Sequence, residues 1–154
     1  MKKNPKISVV SGGFDPVHSG HIAYFNAAKK LGDKLIVALN SDAWLIKKKG
    51  KFFMPFNERK IIIESFKVVD EVIDFEDDKI GSATNALIKL KAMYPNFEII
   101  FCNGGDRNSE NSPEQSVAGV KHEFGVGGSN KINSSSWILE DYKSARTERP
   151  WGYY

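Results

Sequence analysis

Several scarcities bound what this chain can be. Cys102 is the only cysteine, so no disulfide framework exists, and its apolar surroundings make it a buried thiol. Three histidines, His18, His21 and His122, and that one cysteine are too few to suggest a zinc cage. No apolar run approaches the roughly 20 residues a membrane span needs. Residues 1–5 are polar and lead straight into a strand pattern instead of the apolar centre of a signal peptide, so a cytoplasmic location is expected. Neither sign of charge dominates. At a net +3 the total charge does not indicate a groove for nucleic acid, and neither nucleic acid nor membrane is expected as a partner. Repeats, low-complexity tracts and internal linkers are also missing.

What remains is an ordinary globular composition, 41% hydrophobic and 27% charged over 154 residues, enough for one domain with a sizeable core. The expected unit is 1–154, with a core over about 6–142 and a tail over 143–154. Apolar runs at Ile7–Val10, Lys34–Asn40, Val72–Phe75 and Glu98–Asn103, with an edge strand at Val120–Val126, read as five strands. Their continuous apolar character suits a parallel sheet covered on both faces. Helical spacing appears at Ile22, Phe25, Ala28 and Leu31. It recurs from a cap at Ser41 through Trp44 and Ile46, from a cap at Asn57 through Phe66 and Val69, over Ser82–Tyr94, and through Trp137 to Tyr142. The fold expected is α/β, a Rossmann-like single domain with a five-stranded parallel sheet and helices on both faces.

The chain is organised around Ile7–His21, where Ser11-Gly12-Gly13 breaks the first strand and a helix pattern follows at once. Turns of this kind, between a strand and a helix, are where α/β sheets hold phosphates. Gly12 and Gly13 let backbone N–H groups approach phosphate oxygens. His18 and His21, three residues apart at the helix start, can share one face of its positive end. Asp15 can orient the loop or a histidine, or serve only as a turn residue. Lys47-Lys48-Lys49-Gly50-Lys51 forms a basic cluster that can meet phosphate or simply remain solvated. The stretch Lys47–Met54 reads as a loop that is mobile when empty, because Phe52, Phe53 and Met54 need a core or a ligand to cover them. Three consecutive serines, Ser134, Ser135 and Ser136, can cap a helix or bind phosphate at its N-terminus.

Two histidines three apart, or a Gly-Gly turn, carry little information alone. As the joined pattern Gly-x-Phe-Asp-x-x-His-x-Gly-His they resemble the signature of the nucleotidyltransferases with a His-x-Gly-His motif. The resemblance covers roughly residues 6–140. Leu31–Asp42, the lysines, Pro55, Glu58-Arg59 and Val69–Ile73 place it nearest the glycerol-3-phosphate cytidylyltransferase and heptose-1-phosphate adenylyltransferase branch. It implies transfer of a nucleoside monophosphate from CTP or ATP to a phosphorylated sugar or polyol, with pyrophosphate released and Mg²⁺ carried by the triphosphate. His18, His21, Lys49 (or Lys47 in its place) and Arg59 take catalytic roles by that resemblance. The histidines stabilise charge on the α-phosphate and leaving group and can be cationic near neutral pH. Gly12, Gly13, Phe14, Asp15, Gly105, Asp106, Ser134, Ser135 and Ser136 bind nucleotide by the same resemblance. A homodimer is also implied. An arginine in a helix's first turn suits the dipole poorly, which favours a ligand-facing Arg59. The alternatives are a nicotinamide-mononucleotide-type adenylyltransferase and a nucleotide-binding regulatory protein without turnover. The tail, Arg146–Tyr154, resembles the opening of cupin-type mannose-phosphate isomerase domains.

Overall fold

A computed structural model of the chain describes residues 4–105, 111–128 and 134–143. Asp106 and the tail after Lys143, both singled out in the sequence, lie outside the described residues. The strands are β1 (Lys6–Gly12), β2 (Lys34–Leu39), β3 (Glu71–Ile73), β4 (Glu98–Cys102) and β5 (Val120–Glu123). The helices are α1 (Ser19–Lys29), α2 (Asp42–Lys49), α3 (Phe56–Glu64), α4 (Thr84–Met93) and α5 (Ser135–Lys143), with a 3₁₀ turn at Pro113–Ser116. The sheet runs β3-β2-β1-β4-β5 and every pairing is parallel. The expected Rossmann-like architecture is therefore the one observed.

The apolar strands are continuous because alternate residues supply opposite faces, and both faces are covered. Ile7, Val9, Ile36, Ala38, Ile99 and Phe101 pack with Ala86, Leu87 and Leu90 of α4. Val10, Leu35, Val37, Leu39, Ile100 and Cys102 pack with Phe25 and Ala28 of α1 and Ile63 of α3. Removing that much apolar surface from water is the main force holding the layers together. Chain order then fixes where a ligand can sit. After β1 the chain winds outward through β2 and β3, then returns to place β4 on the other side of β1. That reversal opens a crevice at the C-terminal end of β1, the usual ligand position in such sheets.

Several element boundaries differ from those expected. The third strand is Glu71–Ile73, so Asp74 and Phe75 fall outside it. The third helix begins at Phe56, not after a cap at Asn57: extended Pro55 occupies the N-cap without a side-chain bond, and its carbonyl accepts from Arg59 N–H. Lys47, Lys48 and Lys49 are not loop residues but the last turn of α2, where positive charge complements the helix's negative end. Gly50, at a φ of 89°, ends that helix in the left-handed region that glycine adopts freely. The polar stretch after β4 does supply a core group. The Glu114 carboxylate is 1% exposed and accepts from Ala83 N–H at 2.9 Å, at the start of α4.

Candidate active site

The turn from β1 into α1 builds the centre of the site. Phe14 adopts a φ of 50°, uncommon for a residue with a side chain, and its ring is buried. There it meets the His21 ring edge-on with centroids 4.8 Å apart, and Phe25 of α1 at 5.0 Å. Asp15-Pro16 follows as a cis peptide. His18 is the N-cap of α1. Its Nδ1 accepts from Gly20 N–H at 3.1 Å, and His21 Nδ1 accepts from His18 N–H at 3.2 Å. The two histidines thus form a reciprocal capping box, a role more often filled by Ser or Thr with Glu or Gln. Their rings stack with centroids 3.7 Å apart.

This box decides the protonation state. Each Nδ1 uses its lone pair on a backbone N–H, so in the neutral ring the proton lies on Nε2. Burial is the largest cause lowering the pKa of His21, followed by the nearby His18 and Lys49, and together they take it from 6.5 to about 3. The expectation of a cationic pair near neutral pH is therefore corrected for His21 in the unliganded protein. It is a neutral Nε2–H donor, because a second positive charge there would be desolvated and repelled.

Exposed Lys49, at the end of α2, is near enough for its charge to act on His21. Lys47 is directed elsewhere, its Nζ donating to the Lys79 carbonyl at 3.1 Å. Lys48 lies over the Trp44 ring at 4.6 Å. Of the three lysines, Lys49 is the one whose charge bears on His21. The start of α5 reaches the same turn, with the Ser135 hydroxyl donating to the Pro16 carbonyl at 2.6 Å. Ser134 Oγ accepts weakly from Trp137 N–H at 3.4 Å, and Ser136 is exposed. Gly105 is exposed beyond β4 in the left-handed region, at a φ of 62°. Its neighbour Gly104 packs on Tyr24 of α1, where an added Cβ would lie 3.2 Å from the ring.

Gly12 and Gly13 are needed for packing. A Cβ on Gly12 would lie 2.8 Å from the Phe14 ring, and one on Gly13 would lie 2.7 Å from Leu45 of α2.

Arg59 and Asp15 have tasks the sequence did not disclose. Arg59 is fully buried. It donates from Nε to the Met54 carbonyl at 2.9 Å, and through its terminal nitrogens to the carbonyls of Gly13 at 2.9 Å and Asn40 at 2.8 Å. Its Nη2 also forms an ion pair with Asp42 at 2.7 Å, and the guanidinium lies 5.7 Å from the centre of the Phe56 ring. Four donations are taken up by protein acceptors, so the expectation of a ligand-facing guanidinium does not match this geometry. Buried Asp15 accepts from Phe53 N–H at 2.6 Å and Met54 N–H at 2.7 Å. Of the two readings left open for it, orienting a loop is the one its contacts support. Asp42, the acidic partner of Arg59, was not singled out. Its only signal was its place in the first turn of a helix beside the site.

The family model for cytidylyltransferase-like proteins matches residues 9–118, which include the capping box, Lys49, Asp15 and Arg59. The bifunctional protein HldE of Enterobacter sp. (strain 638) is 36% identical over 116 residues, 68% of this chain. HldE of Klebsiella pneumoniae is 35% identical over the same length, and the chain spans about a quarter (24%) of either relative. Among solved structures, the lipopolysaccharide core biosynthesis protein of Thermoplasma volcanium superposes with a TM-score of 0.62 at 26% identity. It covers 84% of this chain and all (100%) of its own. The bifunctional NMN adenylyltransferase/ADP ribose pyrophosphatase of Francisella tularensis, solved with AMP and a manganese ion, shares the fold with a TM-score of 0.65. It is 21% identical over 90% of this chain and 42% of its own. With a matched segment that spans most of the chain and carries the His18–His21 box at the switch point of the sheet, this chain belongs to the cytidylyltransferase-like family of nucleotidyltransferases.

Proposed function

We propose that the chain transfers a nucleoside monophosphate from CTP or ATP to a phosphorylated sugar or polyol, of the heptose 1-phosphate or glycerol 3-phosphate type, and releases pyrophosphate. The observation that carries this reading is the convergence of the His18–His21 box and the start of α5 on the turn after β1, with the charge of Lys49 acting on His21. In-line phosphoryl transfer asks the protein mainly to position the groups and neutralise charge. The Nε2–H groups of His18 and His21 donate to the α-phosphate and the departing oxygens, and Lys49 supplies a fixed positive charge beside them. Gly12, Gly13 and Phe14 shape the turn that receives the triphosphate. Exposed Ser136 and the α5 N-terminus that Ser134 and Ser135 help to build take its outer phosphates. Gly105 borders the nucleoside, and Asp106 keeps the nucleotide-binding role that the family resemblance gives it.

Among the described residues no cluster of three or more His, Cys, Asp or Glu is placed to hold a metal. Imidazole, ammonium and hydroxyl groups instead suit an ion that arrives on the triphosphate, where Mg²⁺ would neutralise phosphate charge. A sugar phosphate acceptor fits the HldE relatives and the lipopolysaccharide core biosynthesis protein better than a nicotinamide mononucleotide, since the Francisella enzyme supports the fold alone.

A pyrophosphate-release screen tests this directly, with CTP, ATP, GTP and UTP each paired with heptose 1-phosphate, hexose 1-phosphates, glycerol 3-phosphate and nicotinamide mononucleotide. One of the first three acceptor classes is expected to give turnover with CTP or ATP. Turnover with nicotinamide mononucleotide alone would replace the acceptor assignment, and nucleotide binding without turnover would leave a regulatory role.

The proposal extends to a cytoplasmic homodimer. No helix among the described residues is long and apolar enough to cross a membrane. Phe52 and Phe53, 36% and 56% exposed beside the site, offer apolar surface that pairing would cover. Light scattering is expected to return twice the chain mass at micromolar concentration, and a monomer would remove this part.

A further inference from the structure

The loop between α2 and α3 carries exposed aromatic residues next to the phosphate turn, yet one residue within it, Met54, is held from both sides. Asp15, at the heart of the turn, takes the N–H groups of Phe53 and Met54, while Arg59 of α3 takes the Met54 carbonyl. Arg59 then continues to Gly13 in the same turn, to Asn40 at the end of β2, and to Asp42 in the first turn of α2. The last turn of that eight-residue helix bears Lys49. Both charged groups are buried, while the layers of the sheet are packed by apolar residues. A buried carboxylate and a buried guanidinium are costly to desolvate and persist only where their hydrogen bonds are complete. Here those bonds all end on segments that border the ligand crevice.

The geometry points to Asp15 and Arg59 acting as one latch. It ties the 50–55 loop and α2 to the phosphate turn and thereby sets Lys49 opposite His21, and neither latch residue touches the substrate. Both are positioning residues. This replaces the mobile lid expected over Lys47–Met54. The lysines are helical, Phe53 and Met54 are pinned, and only Gly50–Phe52 is left outside the latch. Holding a charged group in place before the ligand arrives removes reorganisation from the binding step, which is where a latch would show its effect.

The inference rests on the proposed triphosphate site only for what Lys49 does, so the test reads the latch and its consequence separately. Asp15→Asn keeps the shape of the side chain but leaves one acceptor oxygen for two N–H groups and turns an N–H₂ group toward one of them. In the unliganded protein, amide exchange at Phe53 and Met54 should accelerate by about tenfold or more while β1 and β4 keep their protection. Unchanged exchange at those two amides overturns the latch, whatever the protein's activity. Should Asp15→Asn fail to fold, Phe53→Pro removes one donor from the exposed side, and exchange at Met54 is read in its place.

The consequence is read as Mg²⁺–CTP and Mg²⁺–ATP affinity in wild type, Asp15→Asn, Lys49→Ala and the double variant. If Asp15 acts through Lys49, Asp15→Asn weakens binding about tenfold alone but less than about threefold when Lys49 is already absent. Equal losses in both backgrounds would overturn the positioning role. A wild-type protein that binds neither nucleotide would sink the proposed function instead, and the exchange result would still decide the latch.

Discussion

His21→Ala is expected to lower kcat by about a hundredfold or more with the fold retained, and His18→Ala by a similar factor. Both rings have Nδ1 committed to backbone N–H groups, which leaves Nε2 of each as the ring atom to meet substrate, held in place before it arrives. A donor so held stabilises charge that develops in the transition state without paying to reorganise, and its removal leaves that charge to water. His18→Ala also removes a helix cap worth about 1 kcal/mol, so its kinetics are compared at matched folded fraction by circular dichroism.

The neutral state makes a finer distinction possible. In glutamine the amide nitrogen lies near the position of the imidazole Nε2, so His21→Gln should recover part of the activity that His21→Ala loses. If glutamine and alanine are equally inactive, charge rather than a neutral donor is what the reaction uses. The pH dependence follows from the same geometry. Burial first, then His18 and Lys49, lowers the His21 pKa to about 3, against 6.5 for an unperturbed imidazole. Below pH 6.5 the unfolded chain therefore takes up a proton that the folded one refuses. The His21 contribution to stability is complete above about pH 6.5 and is lost as pH falls toward 3. Urea midpoints that decline from pH 7 to pH 5 in wild type but less in His21→Gln would show this directly. A histidine resonance from position 21 titrating near 6.5 would contradict it.

Much of the sheet was legible because strands covered on both faces must be apolar at every position, as Leu35–Leu39 is. The turn between β1 and α1 was legible for a similar reason, since Gly12-Gly13 followed by histidines three apart breaks a strand and opens a helix in one short step. Residues whose role depends on a backbone partner were not legible. Arg59 was visible as a charge, but its acceptors include the carbonyls of residues 13, 40 and 54, and a carbonyl has no sequence signature. Glu114 sits in a polar stretch that reads as solvated, and only the fold shows that it meets the start of α4. The three lysines looked like a loop because charge runs usually are solvated. A helix's final turn satisfies that need equally well, with its outer face in water and its end favourable to positive charge. The capping box could be anticipated from the His-x-x-His spacing, but the burial that keeps His21 neutral comes from Phe14 and the layer beneath it.

Arg59→Met is expected to destabilise the protein by about 3–5 kcal/mol, the largest stability effect of any single change proposed for it. Methionine nearly fills the space but donates nothing. It would leave the carbonyls of Gly13, Asn40 and Met54 without this donor and Asp42 without its guanidinium partner. Each orphaned buried acceptor costs about 1–3 kcal/mol, although relaxation and entering water return part of the sum. Since domains of ordinary stability have only about 5–15 kcal/mol in total, the urea midpoint should fall steeply. Arg59→Lys should recover little, because one ammonium cannot span the carbonyls that the planar guanidinium reaches together. A ligand-facing arginine predicts the opposite pattern: an unchanged midpoint with a raised KM for the triphosphate, since its loss would cost binding and not the fold. The two patterns separate in one pair of measurements, denaturation and steady-state kinetics on the same Arg59→Met preparation. An unaltered midpoint there would return Arg59 to the ligand. A large fall would leave it where its hydrogen bonds place it, between the turn after β1 and the loop that bears Phe53 and Met54.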